Sequence, residues 1–354
     1  MSVEDAKHKK MRNMTDDLIR ALSAIFVIMI HADNKPWKDI PVADAMAMTT
    51  IFFSNSFFFM LSGKYNIGQT FSTPNDYLVY YKKKIVDILF PYVFVSMLLS
   101  TCTLLLLPDM EIAGEGRDAT QMLAYYIKFS IKGLFDISNS PHLWFMLHLT
   151  GFIVSAPFLS KMFHAMSNRE LHVLLFVGVL WNTVAVLLFP LFSQEFSYRG
   201  WFLYGWIIHF CLGYYMSRVL DERNAKWFYI IGGIGFVLNV IGITFAPARF
   251  RNPFDLAPTF IFACAGAMAF LQQKVSVRGG AETVVKNVAK HTFVIYMVHY
   301  FILRNVAPLV TDALPQKIHF VADVAITFAL SLTVAVVLDF VINPCKRWLR
   351  VAMQ

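Results

Sequence analysis

Apolar residues in this chain come in long unbroken runs that recur from one end to the other, and most are long enough to cross the hydrocarbon core of a bilayer. They predict ten helical spans, at about 17–33, 43–63, 85–107, 143–160, 171–190, 201–219, 227–247, 256–273, 290–310 and 320–342. The run at 256–273 is the weakest, short and rich in small residues. The stretch 121–135 is aromatic but carries Lys128 and Lys132, which predicts an interfacial helix rather than a span. Continuous runs without period-two alternation exclude a β-barrel. The predicted fold class is therefore all-α, a polytopic transmembrane helical bundle.

Composition sharpens this. The chain is 57% hydrophobic with a mean hydropathy of +0.54, and only 15% of its residues are charged, against about 25% in soluble domains. Of the 31 Lys and Arg residues, twenty fall on the side of the N-terminus, ten on the other, and Arg20 lies within the first span. That bias predicts both termini in the cytoplasm. It also accounts for the formal charge of +8 without a nucleic-acid partner; membrane lipids are the expected surroundings, in a multi-pass cell-membrane protein. The predicted organisation is a cytoplasmic tail at 1–16, one membrane domain at 17–345 and a second cytoplasmic tail at 346–354. The first span leads into HADNKPWKD, which has no small-residue cleavage site, so it is expected to remain as an anchor. The long loop 108–142, with its polar stretch EIAGEGRDAT, is expected outside. Cys102, Cys211, Cys264 and Cys345 have neither metal nor redox spacing. No internal repeat is visible, which weakens a transporter built on inverted repeats. The glycines of IIGGIG, Gly232, Gly233 and Gly235, are expected to permit close helix packing.

The first span carries the clearest chemical signal. It runs from Arg20 to His31, eleven residues or about three turns, so both side chains project from nearly one face about 16 Å apart. Charges at membrane depth face a protein interior or a water-filled cavity, and this face looks like one wall of a tunnel. Asp17 is placed to pair with Arg20. His31 is either a helix-end imidazole hydrogen-bonded at the interface or a base poised near neutral pH, with Asp33 or Asp323 available to orient it. Ser62-Gly63, at the inner end of the second span, reads as a helix C-cap or as a place where backbone approaches a ligand. Lys82, Lys83 and Lys84, at the inner mouth of the third, read as a topology signal, a contact with anionic lipid, or a phosphate site. Trp144 and His142 fall at the outer interface with His148 one turn deeper, and Tyr296 and His299 share a face of the ninth span. None of these histidines has a carboxylate at tight helical spacing, so no metal site is expected.

Four stretches taken in order, DLIRALSAIFVIMIH, FFFMLSG, KKKIVDILFPY, and HLWFMLHLTGFIVSAPFL with HTFVIYMVH, resemble the membrane acyltransferase-3 family of bacterial integral-membrane O-acyltransferases. The resemblance implies transfer of an acyl group, often acetyl, from cytoplasmic acyl-CoA to a hydroxyl of an extracytoplasmic carbohydrate. It implies that His31 is the essential histidine and general base, with Arg20 and Asp17 in the catalytic set. Ser62, Gly63, Lys82, Lys83 and Lys84 are then the candidate donor-binding residues. Asp33, His142, Trp144, His148, Tyr296 and His299 are the candidate acceptor-binding residues. The chain departs from the family pattern in two places: its basic run is all lysine where arginine is common, and Lys64 follows Gly63 where an aromatic is usual. The competing readings are a transporter or lipid-linked exporter that uses Arg20 and His31 as ligand or proton sites, and a catalytically silent sensor.

Overall fold

The computed structural model describes residues 13–106, 119–135, 141–192, 203–246 and 254–353. Every regular element among them is helical. In chain order the helices are α1 (Met14–His31), α2 (Pro41–Ile67), α3 (Pro74–Lys84), α4 (Phe90–Leu106), α5 (Ala119–Phe135), α6 (Trp144–Ala165), α7 (Asn168–Phe192), α8 (Ile207–Val219), α9 (Ala225–Phe245), α10 (Pro258–Lys274), α11 (Gly280–Asn305), the short α12 (Pro308–Thr311) and α13 (Gln316–Ala352). A helix stands at each of the ten expected positions. Among the described residues six segments are long and apolar enough to cross a membrane: 41–67, 74–103, 141–165, 168–186, 225–245 and 316–352. The other four, α1, α8, α10 and α11, are short or charged. The α8 helix has 13 residues, and α1 carries Asp16, Asp17 and Arg20 within 18. The expected cytoplasmic tail 1–12 and the polar loop segment 111–118 lie outside the described residues.

Both expected domain boundaries fall inside helices. At the start, the Asn13 side chain accepts the backbone N–H groups of Thr15 and Asp16, so α1 begins before residue 17. At the end, α13 runs on through residue 345 to Ala352. The segment 121–135 forms the helix α5, tied to α4 by the Tyr92 hydroxyl donating to the Leu134 carbonyl at 2.7 Å and by a Thr101–Tyr126 hydroxyl bond at 2.9 Å.

A π turn, Ile85–Leu89, joins α3 to α4. Pro91 lacks the N–H that would bond the Asp87 carbonyl. The ladder opens by one residue there, and Phe90 N–H donates to Ile85 O instead. The freed Asp87 carbonyl accepts Lys346 Nζ at 3.5 Å, and the Asp87 carboxylate accepts Arg350 at 2.6 Å. The C-terminal part of α13 thus docks on the π turn.

At the centre, α1 packs against α2, α10, α11 and α13. Its buried face, Ile19, Ser23, Ala24, Val27 and Ile28, is embedded in the main apolar core. Helices α9 and α10 pair closely: a Cβ on Gly232 would stand 2.4 Å from Gly266 Cα. Gly235 also faces α10, whereas Gly233 faces open space, so two of the three glycines expected at a helix contact are in one.

Candidate active site

The α1 helix carries one cavity at each end, called outer at His31 and inner at Arg20 after the orientation that the sequence predicts. The outer cavity, about 270 Å³, is lined by Val27, Ile30 and His31 of α1, Phe52 and Asn55 of α2, Trp144 of α6, Tyr296 of α11, Trp206, and Asp255 from the turn before α10. The two indoles lie 5.2 Å apart between ring centroids. Burial raises the Asp255 carboxyl to about 6, in that turn outside the spanning helices.

Beside this cavity three imidazoles cluster. The His31, His142 and His299 rings are 5.4 Å (31–299), 6.4 Å (31–142) and 5.1 Å (142–299) apart. Tyr300 is stacked on His142 and meets His31 edge-on at 5.3 Å. The α11 backbone holds the two buried rings. His142 Nε2 lies 3.1 Å from Met297 O, and His299 Nδ1 lies 2.6 Å from Tyr296 O. The Tyr296 hydroxyl in turn donates to the His142 carbonyl. At the outer mouth Arg304 pairs with Asp33, reaches the His31 carbonyl at 3.3 Å and lies over the Tyr300 ring.

The inner cavity is larger, about 720 Å³, and ionic. It is lined by Asn13, Asp17, Arg20, Lys64, Tyr65, Gly68, Tyr214, Ser217, Arg218 and Ala289. Arg20 pairs with Asp17 at 2.9 Å. Lys64 pairs at 2.6 Å with Asp16, which is fully buried and also accepts from the Tyr65 hydroxyl. Arg218 donates to the Phe163 and Met166 carbonyls at 2.9 and 2.8 Å. Two of the three cavity cations are therefore matched by carboxylates, and Arg218 carries the surplus positive charge.

The structure brings together His31, His142, Trp144, Tyr296 and His299, as the sequence suggests. It leaves other candidates elsewhere. Asp33 faces Arg304 rather than the His31 ring. His148 is exposed, bonded to the Trp144 carbonyl at 2.9 Å on its own helix. Arg20 and Asp17 are in the inner cavity, about 16 and about 21 Å from His31 by helix rise, too far to touch atoms reacting there. Gly63 sits in a helix crossing, where a Cβ would fall 1.7 Å from Phe210 O. Ser62 is engaged by the Asn66 side-chain amide. The three lysines line neither cavity. Lys82 reaches the Met353 carbonyl, Lys83 is exposed, and Lys84 lies over the Tyr80 ring. The two cavities are separate: between Arg20 and His31 the same face carries Ala24 and Val27, each 2% exposed. Among the described residues no three His, Cys, Asp or Glu side chains are grouped to hold a metal ion.

Asn55, Trp206, Asp255, Tyr300 and Arg304 at the outer site, and Asp16, Tyr65 and Arg218 at the inner one, were not singled out as site residues by the sequence. Their only sequence signal is a polar or aromatic residue at the edge of an apolar run, and many positions share it.

No curated protein and no solved structure matches the chain. A family model does, the one described as Acyltransferase domain, and it spans residues 17–340. That span runs from the Asp17–Arg20 pair, through both cavities, to within the last long helix, and the chain accordingly belongs to the acyltransferase-3 family of membrane acyltransferases.

Proposed function

We propose that the protein is an O-acyltransferase of the cell membrane that takes an acyl group from acyl-CoA at its cytoplasmic side and delivers it to a carbohydrate hydroxyl at the other side. One observation carries this reading: a single helix holds an imidazole in an aromatic, carboxylate-bearing cavity at one end and a cation-rich cavity at the other. A pocket that is mostly apolar, with a few convergent polar groups, suits a small organic acceptor. Trp144 and Trp206 offer faces to a sugar ring, and Asp255 and Asn55 offer hydrogen-bond partners to its hydroxyls.

The inner cavity suits the donor. Arg218 has five N–H donors and spends two on carbonyls, so the rest are free for a phosphate of CoA, with Arg20 and Lys64 beside it. The basic run Lys82–Lys84 is left to topology and lipid contact. The pantetheine arm then follows the stripe Ala24–Val27, where small side chains have to yield.

At the outer end His31 takes the proton from the acceptor hydroxyl as its oxygen attacks the thioester carbon. The C–S bond breaks, the ester is released, and the CoA thiolate recovers the proton from His31. Acetyl-CoA is the first donor to test, because the family commonly uses acetyl.

The experiment is transfer across oriented proteoliposomes. Label supplied as acetyl-CoA on the Arg218 side is expected on a saccharide held only on the His31 side. Product formed only when donor and acceptor share the Arg218 side would overturn transmembrane transfer.

A further inference from the structure

General bases of this kind are usually held in one tautomer by a carboxylate on the second ring nitrogen. Here none is bonded: among the described residues no carboxylate hydrogen-bonds His31, His142 or His299; Asp33 is taken by Arg304, and Asp255 lines the cavity without a hydrogen bond to the His31 ring. The neighbouring imidazoles have a different property. A backbone carbonyl only accepts, so the nitrogen bonded to it must carry the proton. His299 is therefore protonated on Nδ1, facing Tyr296 O, and His142 on Nε2, facing Met297 O. That leaves a bare lone pair on His299 Nε2 and on His142 Nδ1. Both atoms are buried without a partner, in a cluster whose third member is His31. A buried acceptor without a donor costs free energy, and His31 is the adjacent group with an N–H to give. Of the two, the His299 ring is nearer, 5.4 Å from His31 against 6.4 Å for His142. His142 is in addition stacked on Tyr300.

We propose that His299 is a positioning residue: its Nε2 accepts the N–H of His31 and fixes that ring with its other nitrogen bare toward the acceptor cavity, an imidazole standing where such sites usually have a carboxylate. This rests on His31 being the general base. It assigns His299 to the base rather than to the acceptor, and it gives the α11 backbone, through Tyr296 O, the task of setting the tautomer of a histidine on α1.

The test uses the full chain labelled with ¹⁵N-histidine in lipid nanodiscs, with His31 signals identified by their loss in His31→Ala. The wild type is expected to show one neutral His31 tautomer. His299→Asn keeps a donor for Tyr296 O but removes the ε acceptor, so His31 should become a mixture of tautomers. His299→Gln, whose amide oxygen reaches the ε position, should restore a single one. In transfer assays His299→Asn should lower kcat by about 100-fold while the acceptor KM stays within about twofold, and His299→Gln should recover part of it. If His299→Asn does not fold, as judged by its thermal melt, His299→Gln still decides: a mixed His31 tautomer in that variant overturns the proposal. A single His31 tautomer in His299→Asn, or a loss confined to acceptor KM, also overturns it. If the wild type transfers nothing yet the tautomer responds as expected, the positioning stands and the acyltransfer reading of His31 falls.

Discussion

The two ends of α1 treat charge in opposite ways. The inner cavity contains two ion pairs, Arg20–Asp17 and Lys64–Asp16, and a third cation held by carbonyls. The cluster at the outer end contains three imidazoles with no carboxylate partner among the described residues, two of them tied to backbone carbonyls of α11. An ionic site of fixed charges suits capture of a charged group; a site of neutral, hydrogen-bonded rings suits moving a proton. On the proposed function the difference separates binding from chemistry along one helix, and each substitution below should fall on one side of it.

The largest effect is expected at the outer end. His31→Ala should lower kcat by roughly 10²–10⁴-fold and leave acyl-CoA affinity, read by calorimetry, unchanged. A variant keeping more than about a tenth of wild-type turnover would remove His31 from the role of base. Next is the inner ionic lattice. Lys64→Met leaves the fully buried Asp16 with only Tyr65 and Gln272 for partners. It should cost about 3–5 kcal/mol of stability, seen as a lower melting temperature; Asp16→Asn made in the same background should recover much of it.

A smaller effect, on affinity alone, is expected at Arg218. Arg218→Gln should weaken acyl-CoA binding by about tenfold, the scale of one hydrogen bond to a charged group, with kcat at saturating donor preserved. A kcat loss instead would break the separation. The outer carboxylate gives a pH test. Burial raises the Asp255 carboxyl to about 6, so below that pH it is neutral, one of its oxygens becomes a donor, and the charge that strengthens its bonds to sugar hydroxyls is lost. Acceptor KM should therefore fall as pH rises through about 6, and Asp255→Asn should flatten that limb. The groups facing Asp255 are His31, Tyr296, His209 and Cys264; the experiment reads KM because the effect of His31 as base enters through kcat. The smallest effect belongs to the lysine run. Replacing Lys82, Lys83 and Lys84 by Gln should change donor affinity by less than about twofold at physiological salt, since none lines the inner cavity.

Those lysines show where the sequence was ambiguous. Positive-inside topology and phosphate binding both place cations at an inner helix mouth, so Lys82–Lys84 suited either, while two of the three cations that line the cavity, Lys64 and Arg218, sit singly at the ends of α2 and α8. Local periodicity was legible: the apolar runs located every long helix, and the spacing of Arg20 and His31 put them at two ends of one face. Contacts between distant segments were not. Asp255, Trp206 and Asn55 join His31 only through packing of α2, α8 and α10 against each other, and the pairing of Asp33 with Arg304 spans 271 residues. Gly63 was legible as special, but its reason is the backbone of Phe210 on α8.

The closed stripe of Ala24 and Val27 has a consequence for the cell. An open shaft from Arg20 to His31 would place a column of water between the two aqueous compartments, and with titratable groups at its outer end it would conduct protons down the membrane potential. Two small apolar side chains, almost wholly withdrawn from solvent, act as electrical insulation. On the proposed transfer, a passing acyl chain has to displace them while itself filling the gap, which would keep the bilayer sealed to ions at that moment.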